Sequence, residues 1–159
     1  MIYTINKGKH RSTLIPTFTI KDSVSGVFTF IDGYEYFIEK QKDSNKLIGL
    51  SDNWHHHIDS ARLGWRYNPK FPDMVEIVGI VYNKCERKIF AITHVYPNKP
   101  NYFSIEILEN SYKFKVNKSI IMAVRTSDWD FLRYQLNPYF GGTTPAPNKV
   151  SIDMKLKFK

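Results

Sequence analysis

Residues 150–159 alternate without a fault: Val150, Ile152, Met154, Leu156 and Phe158 are apolar, while Ser151, Asp153, Lys155, Lys157 and Lys159 are polar. Strand side chains point to opposite faces with a period of two, so this stretch is a β-strand with one face on a core and one in water. The same grammar recurs upstream, where Phe103, Ile105 and Ile107 alternate with Tyr102, Ser104 and Glu106, and Tyr112, Phe114 and Val116 with Lys113, Lys115 and Asn117. Short runs rich in β-branched and aromatic residues, punctuated by Gly, Pro, Asn and Asp, predict strands over 14–20, 27–31, 34–39, 46–50 and 60–67. Further strands are predicted over 74–82, 88–96, 102–108, 112–116, 119–125 and 149–158.

Turn chemistry places three hairpins, at Asp32-Gly33, at Asn83-Lys84-Cys85-Glu86 and at Glu109-Asn110-Ser111. Val75 to Tyr82 and Ile120 to Val124 are apolar almost throughout, as expected of strands covered on both faces or lying at a subunit contact. Residues 127–135 form the one helix candidate, with Ser127 or Asp128 as its cap and Pro138 beyond its end. Many short strands with turns between them point to an all-β, single-domain β-sandwich of jelly-roll or concanavalin-like type over residues 1–159.

A chain of 159 residues buries a hydrophobic core without covalent staples, and its one cysteine, Cys85, forms no internal disulfide. Residues 1–7 lack the apolar core of a signal peptide, and no run is long enough to span a bilayer, so neither export nor a membrane partner is expected. The net charge of +8 favours acidic partners. Because the lysines are scattered over alternating strands and no nucleic-acid motif accompanies them, nucleic acid is not among the expected partners.

The densest polar cluster runs from Asp52 to Ser60 through Trp54 and His55-His56-His57. An extended backbone sends His55 and His57 to one face, which makes them the candidate metal ligands, and His56 to the other. Consecutive histidines lack the spacing of a dedicated zinc site, so a polar loop bracing the next strand is the favoured reading, with no cofactor. On the strand that follows, Arg62 and Arg66 share a face with Gly64 and could clamp a carboxylate or sulfate, although structural ion pairs are the commoner use of such arginines. Exposed aromatics stack on sugars, which adds Trp54, Trp129, Tyr134 and Tyr139 as a candidate platform. Gly141-Gly142 has neither the lysine nor the following helix of a phosphate loop and is read as a sharp reversal.

Two stretches, His55 to Tyr67 and Asn137 to Pro147, resemble uncharacterised β-sandwich proteins of Bacteroidetes and of their tailed, crAss-like phages. In those proteins an acidic residue or a histidine often follows the Ala-Pro pair, where this chain has Asn148-Lys149. A weaker similarity points to concanavalin-like polysaccharide lyases, in which a Tyr-Phe-Lys-Ala-Gly strand and a Gln-Ile/Val-His tripeptide supply catalytic groups. Tyr139-Phe140-Gly141-Gly142 shares only the aromatic pair, and no Gln-X-His occurs. Tyr139, His57 and Arg66 are the residues that such a reaction would have to use.

The first resemblance implies a non-catalytic interaction protein of a phage particle, decorating a head or portal through contacts with other virion proteins, with self-association left open. The alternative is a carbohydrate-binding module in which Trp54, Trp129 or Tyr139 stacks on a sugar and Arg62 or Arg66 holds a charged substituent. A lyase-like enzyme stands third.

Overall fold

The computed structural model describes residues 1–12, 17–38 and 43–158. They form twelve strands: β1 (Ile2–Ile5), β2 (Phe18–Thr19), β3 (Ser23–Asp32), β4 (Asn45–Ser51), β5 (Ser60–Tyr67), β6 (Val75–Asn83), β7 (Glu86–Val95), β8 (Asn101–Ile107), β9 (Ser111–Val116), β10 (Ser119–Val124), β11 (Arg133–Leu136) and β12 (Val150–Phe158). Two six-stranded antiparallel sheets result, ordered β1-β12-β3-β8-β9-β10 and β2-β11-β4-β5-β6-β7. The all-β sandwich read from the alternation is the architecture observed.

The core lies between the sheets because one residue in two on each strand is apolar and turned inward. Phe28, Phe30, Ile105, Phe114 and Ile152 from the first sheet meet Leu63, Trp65, Ile77 and Val81 from the second, all at most 1% exposed. Trp65 sits at its centre, with the rings of Phe30, Tyr36 and Phe140 at 5.2, 5.5 and 5.9 Å in edge-to-face contact. Such pairs add about 0.5–1.5 kcal/mol each beyond the area they bury. Gly79 leaves the space that the Phe90 ring fills, since a Cβ there would stand 2.2 Å from it.

Several local expectations are corrected. Residues 127–135 are not helical: the segment is irregular as far as Arg133 and then pairs as β11 between β2 and β4. Ser127 there gives its hydroxyl to the carbonyl of Asp52 and accepts the Trp129 N–H, so its side chain caps a turn. Residues 34–38 are not a strand, and Glu39 lies outside the described residues. Tyr36 instead turns inward, accepts the Asn45 side-chain amide at 2.8 Å and closes one end of the core.

Accordingly no hairpin forms at Asp32-Gly33, where Gly33 has a φ of 70° and lies against the Lys149 carbonyl. The strand expected over 14–20 is observed only as β2, and residues 13–16 lie outside the described residues. The hairpins β6–β7 and β8–β9 form where their turns were read, the first with Lys84 and Cys85 both at positive φ. Covered on both faces, β6 behaves as expected, whereas β10 is an edge strand with Ile120, Met122 and Val124 in solvent.

Candidate functional site

On the face of the second sheet turned away from the core, the register aligns Gly49, Arg62 and Ile80 across β4, β5 and β6, and Lys46, Gly64 and Val78 one step further along. Two glycines here make room. A Cβ on Gly49 would stand 2.7 Å from Cγ of Arg62, and one on Gly64 would stand 2.7 Å from Cδ1 of Ile80. The Arg62 side chain can therefore lie down on a floor of small and aliphatic groups, where only 7% of the residue stays exposed.

Above this floor opens a cleft of about 630 Å³, lined by Arg62, His55, His56, His57, Tyr82 and Tyr134, with Lys46, Arg87, Arg11 and Tyr139 towards its rim. Arg62 is its most unusual member. Its Nε and Nη2 are buried without a hydrogen-bond partner, and no carboxylate among the described residues pairs with it. Burial pulls its pKa down to about 10. A buried guanidinium without a counter-ion is costly, so an anionic group brought to this position would be strongly stabilised.

Next to Arg62 stands a coupled pair. The Tyr134 hydroxyl accepts the backbone N–H of His56 at 3.0 Å and lies 2.8 Å from Nδ1 of the same residue. Burial first, and Arg62 second, push the His56 imidazole down to about 3, so it is neutral at physiological pH. Burial raises the Tyr134 phenol, which keeps its proton. His57 is lowered in the same sense by burial and by Arg62, and its ring lies flat on Tyr82 at 5.2 Å.

The three histidines do not alternate as an extended chain would. A turn closed by the Ile58 N–H on the His55 carbonyl gathers them, with ring centroids 4.4–5.3 Å apart. Among the described residues no group of three His, Cys, Asp or Glu is arranged to hold a metal ion. The rim is tied by Asp43, which pairs with Lys46 at 2.9 Å and Arg87 at 3.1 Å. Gly142 permits this closeness, since a Cβ there would stand 2.1 Å from the Asp43 carboxylate. Tyr139 stacks on His10 at 5.2 Å and lies beneath the Lys46 ammonium. Among the described lining residues, the four cations Arg11, Lys46, Arg62 and Arg87 thus stand against the one carboxylate of Asp43.

The structure brings Arg62, Tyr134, Tyr139, His55 and His57 to one place and leaves Arg66, Trp54 and Trp129 elsewhere. Arg66, four residues along β5, is held by the Ser44 hydroxyl at 2.7 Å and faces Glu76 at 3.8 Å. Trp54, 76% exposed, precedes the histidines without lining the cleft. Trp129 does not line the cleft; its indole donates to the Leu132 carbonyl and its own carbonyl accepts Arg125 and Arg133. Both arginines converge on buried Asp52, which Tyr112 also donates to. The pairing of His56 with Tyr134 has no signal in the sequence, because the two are 78 residues apart and meet only through the pairing of β11 with β4.

No protein-family model and no curated protein sequence matches the chain. Solved structures do. The alginate lyase AlyC3, solved with dimannuronate, matches 99% of this chain and 73% of its own at a TM-score of 0.65 and 10% identity. The Crh5 transglycosylase matches 98% and 70% at 0.60 and 11% identity. A GH16 protein of a Bacteroides ovatus mixed-linkage glucan locus, holding an oligosaccharide product, matches 99% and 80% at 0.51 and 10% identity. These likenesses establish a jelly-roll β-sandwich shared with carbohydrate-active proteins. They also correct the expectation of a chain that is not an enzyme, since the neighbours include lyases and a transglycosylase.

Proposed function

We propose that the cleft binds an acidic polysaccharide through a uronate carboxylate and cleaves it by β-elimination. The observation that carries this reading is the buried, unpartnered guanidinium of Arg62 beside the His56–Tyr134 pair. A carboxylate seated on Nε and Nη2 would supply the absent counter-ion in the bidentate geometry that arginine favours. It would also draw off charge from C5 of the uronate, which is the position that must lose a proton.

With Nδ1–H of His56 donating to the Tyr134 oxygen, that oxygen accepts two hydrogen bonds and its own proton is free to point into the cleft. The C5 proton then passes to Nε2 of His56, the C4–C5 double bond forms, and the bond from C4 to the glycosidic oxygen breaks. Tyr134 gives its proton to the departing oxygen and recovers one from Nδ1 of His56, after which Nε2 retains the proton taken from the sugar. Burial is the larger cause of the lowered His56 and the Arg62 charge the second; a bound carboxylate counters the second and so makes the imidazole a better base once substrate is present.

Glycoside hydrolysis is less well supported, because it uses two carboxyl groups flanking the scissile bond. Among the described lining residues Asp43 is the only one, and Lys46 and Arg87 already hold it. The test is to incubate the protein with polymers of mannuronate, guluronate, galacturonate and glucuronate and to follow the ultraviolet absorbance of the unsaturated product. Growth of that absorbance with at least one polymer supports the reading; binding without it on all four removes the chemistry.

A further inference from the structure

One aromatic ring on the cleft side of the second sheet takes no part in the core. In the β2–β11 register Phe18 lies opposite Tyr134, so the two side chains stand on the same face, with ring centroids 6.1 Å apart at 63°. The Gln135 N–H holds this register by donating to the Thr17 carbonyl at 2.8 Å. Thr19 is thereby turned inward, opposite buried Arg133, and Phe18 is left 60% exposed on the edge strand. A slip of one residue would bury the ring and expose the threonine, the ordinary order for a strand, and the fold does the reverse. Tyr82 and Tyr139, which line the cleft, are already covered, by His57 and by His10, each at 5.2 Å. The outer side of the Phe18 ring is open.

Strand order relates this ring to the arginine. The sheet runs β2, β11, β4, β5, β6, β7, so from Arg62 on β5 the face passes to Tyr134 on β11 and then to Phe18 on β2 at one edge. Towards the other edge come Tyr82 on β6 and Arg87, its register partner on β7. In an elimination the uronate seated on Arg62 loses its C5 proton, and the oxygen leaving C4 departs with the sugar on the non-reducing side. Tyr134 protonates that oxygen, so the departing sugar lies on the Tyr134 side of the uronate, towards β2. Sugars that stay joined to the unsaturated ring lie over β6 and β7.

We propose that Phe18 is the platform for the departing sugar, and that the polymer crosses the strands with its non-reducing side over β2 and its reducing side over β7. The direction rests on the elimination reading given above, whereas the stacking needs no turnover. A pyranose presents a face of C–H groups, which an aromatic ring covers without a hydrogen bond. Stacked there, the departing sugar keeps the glycosidic oxygen beside the Tyr134 hydroxyl while Arg62 holds the carboxylate of the next ring. The bond to be broken is then fixed from both sides. Phe18 moves no proton; it positions the oxygen that Tyr134 protonates.

Titration calorimetry tests this on chains carrying Tyr134→Phe, which keeps the ring beside Phe18 and prevents turnover. The probes are saturated tetramers of the four uronates named above and the unsaturated dimer of each, which places its sugars over β5 to β7 only. Adding Phe18→Ala is expected to raise the Kd of a tetramer about five- to tenfold, the worth of one partly covered aromatic ring, and to leave that of its dimer unchanged. Phe18→Trp is expected to keep the tetramer affinity, and thermal melting confirms that each variant folds. Tetramer affinity that survives Phe18→Ala, or is lost equally in Phe18→Trp, removes the platform, and an equal loss for tetramer and dimer overturns the direction. Binding of no tetramer overturns the proposal together with the reading it rests on. Failure of the elimination chemistry alone reads separately, as absent product absorbance from the unaltered chain with the Phe18 effect intact.

Discussion

Tyr134 and His56 are joined twice, once through the backbone N–H of His56 and once through its Nδ1, at 3.0 and 2.8 Å. The hydroxyl of one residue thus holds both the main chain and the side chain of the other, beside an arginine that has no partner among the described residues. Tyr134→Phe keeps the ring and removes the proton. Turnover of polyuronate is expected to fall by about 10²–10⁴-fold, the usual worth of a positioned acid, while affinity changes little. Progress curves and titration calorimetry on the same preparation separate the two effects.

Arg62→Met tests whether the guanidinium serves the fold or a ligand. An apolar side chain of similar length removes an uncompensated buried charge, so stability should be unchanged or rise. A structural arginine would give the opposite result. Urea denaturation of the variant against the unaltered chain reads the sign.

His56 makes stability depend on pH in a defined window. Its ordinary value of 6.5 is lowered to about 3 in the fold, so between these values the unfolded chain binds the extra proton. The contribution is fully present above about 6.5 and is lost as pH falls towards 3. His56→Gln is expected to flatten the fall of the melting temperature over that window, with little effect at neutral pH.

Just after β4, Asp52 is fully buried and accepts Arg125 Nε at 2.6 Å, Arg133 Nη2 at 3.2 Å and the Tyr112 hydroxyl at 2.7 Å. The cluster ties β9 of the first sheet to β4 and β11 of the second. Asp52→Asn takes the carboxylate from Arg125 and leaves Arg133 with Asp22 alone, and should cost about 3–5 kcal/mol in urea denaturation. Tyr112→Phe loses a single charge-assisted hydrogen bond and should cost about 1.5–3 kcal/mol.

Strand alternation made the sandwich legible because each half-buried strand repeats the same two-residue rule, and β12 states it over nine residues. Arg62, Tyr134, Tyr139, His55 and His57 could be singled out by residue type alone. Their arrangement could not. His56 was assigned to the wrong face because alternation assumes an extended chain, and a turn at His55 to Ile58 replaces it. Arg66 looked equivalent to Arg62, yet Ser44 and Glu76 occupy it while Arg62 is left bare, a difference that only the packing of β4 and β6 creates. Segment 127–135 read as helix because its cap and spacing are local, whereas what shapes it, Asp52 and the edge of β4, is some eighty residues away.

The most direct measurement is calorimetric titration of a polyuronate and of its carboxyl-reduced, neutral counterpart into the unaltered chain and into Arg62→Met, with product absorbance followed in parallel. Binding and elimination confined to the charged polymer and the unaltered chain are expected. Equal binding of the reduced polymer, or undiminished binding by Arg62→Met, would contradict a carboxylate seated on that arginine.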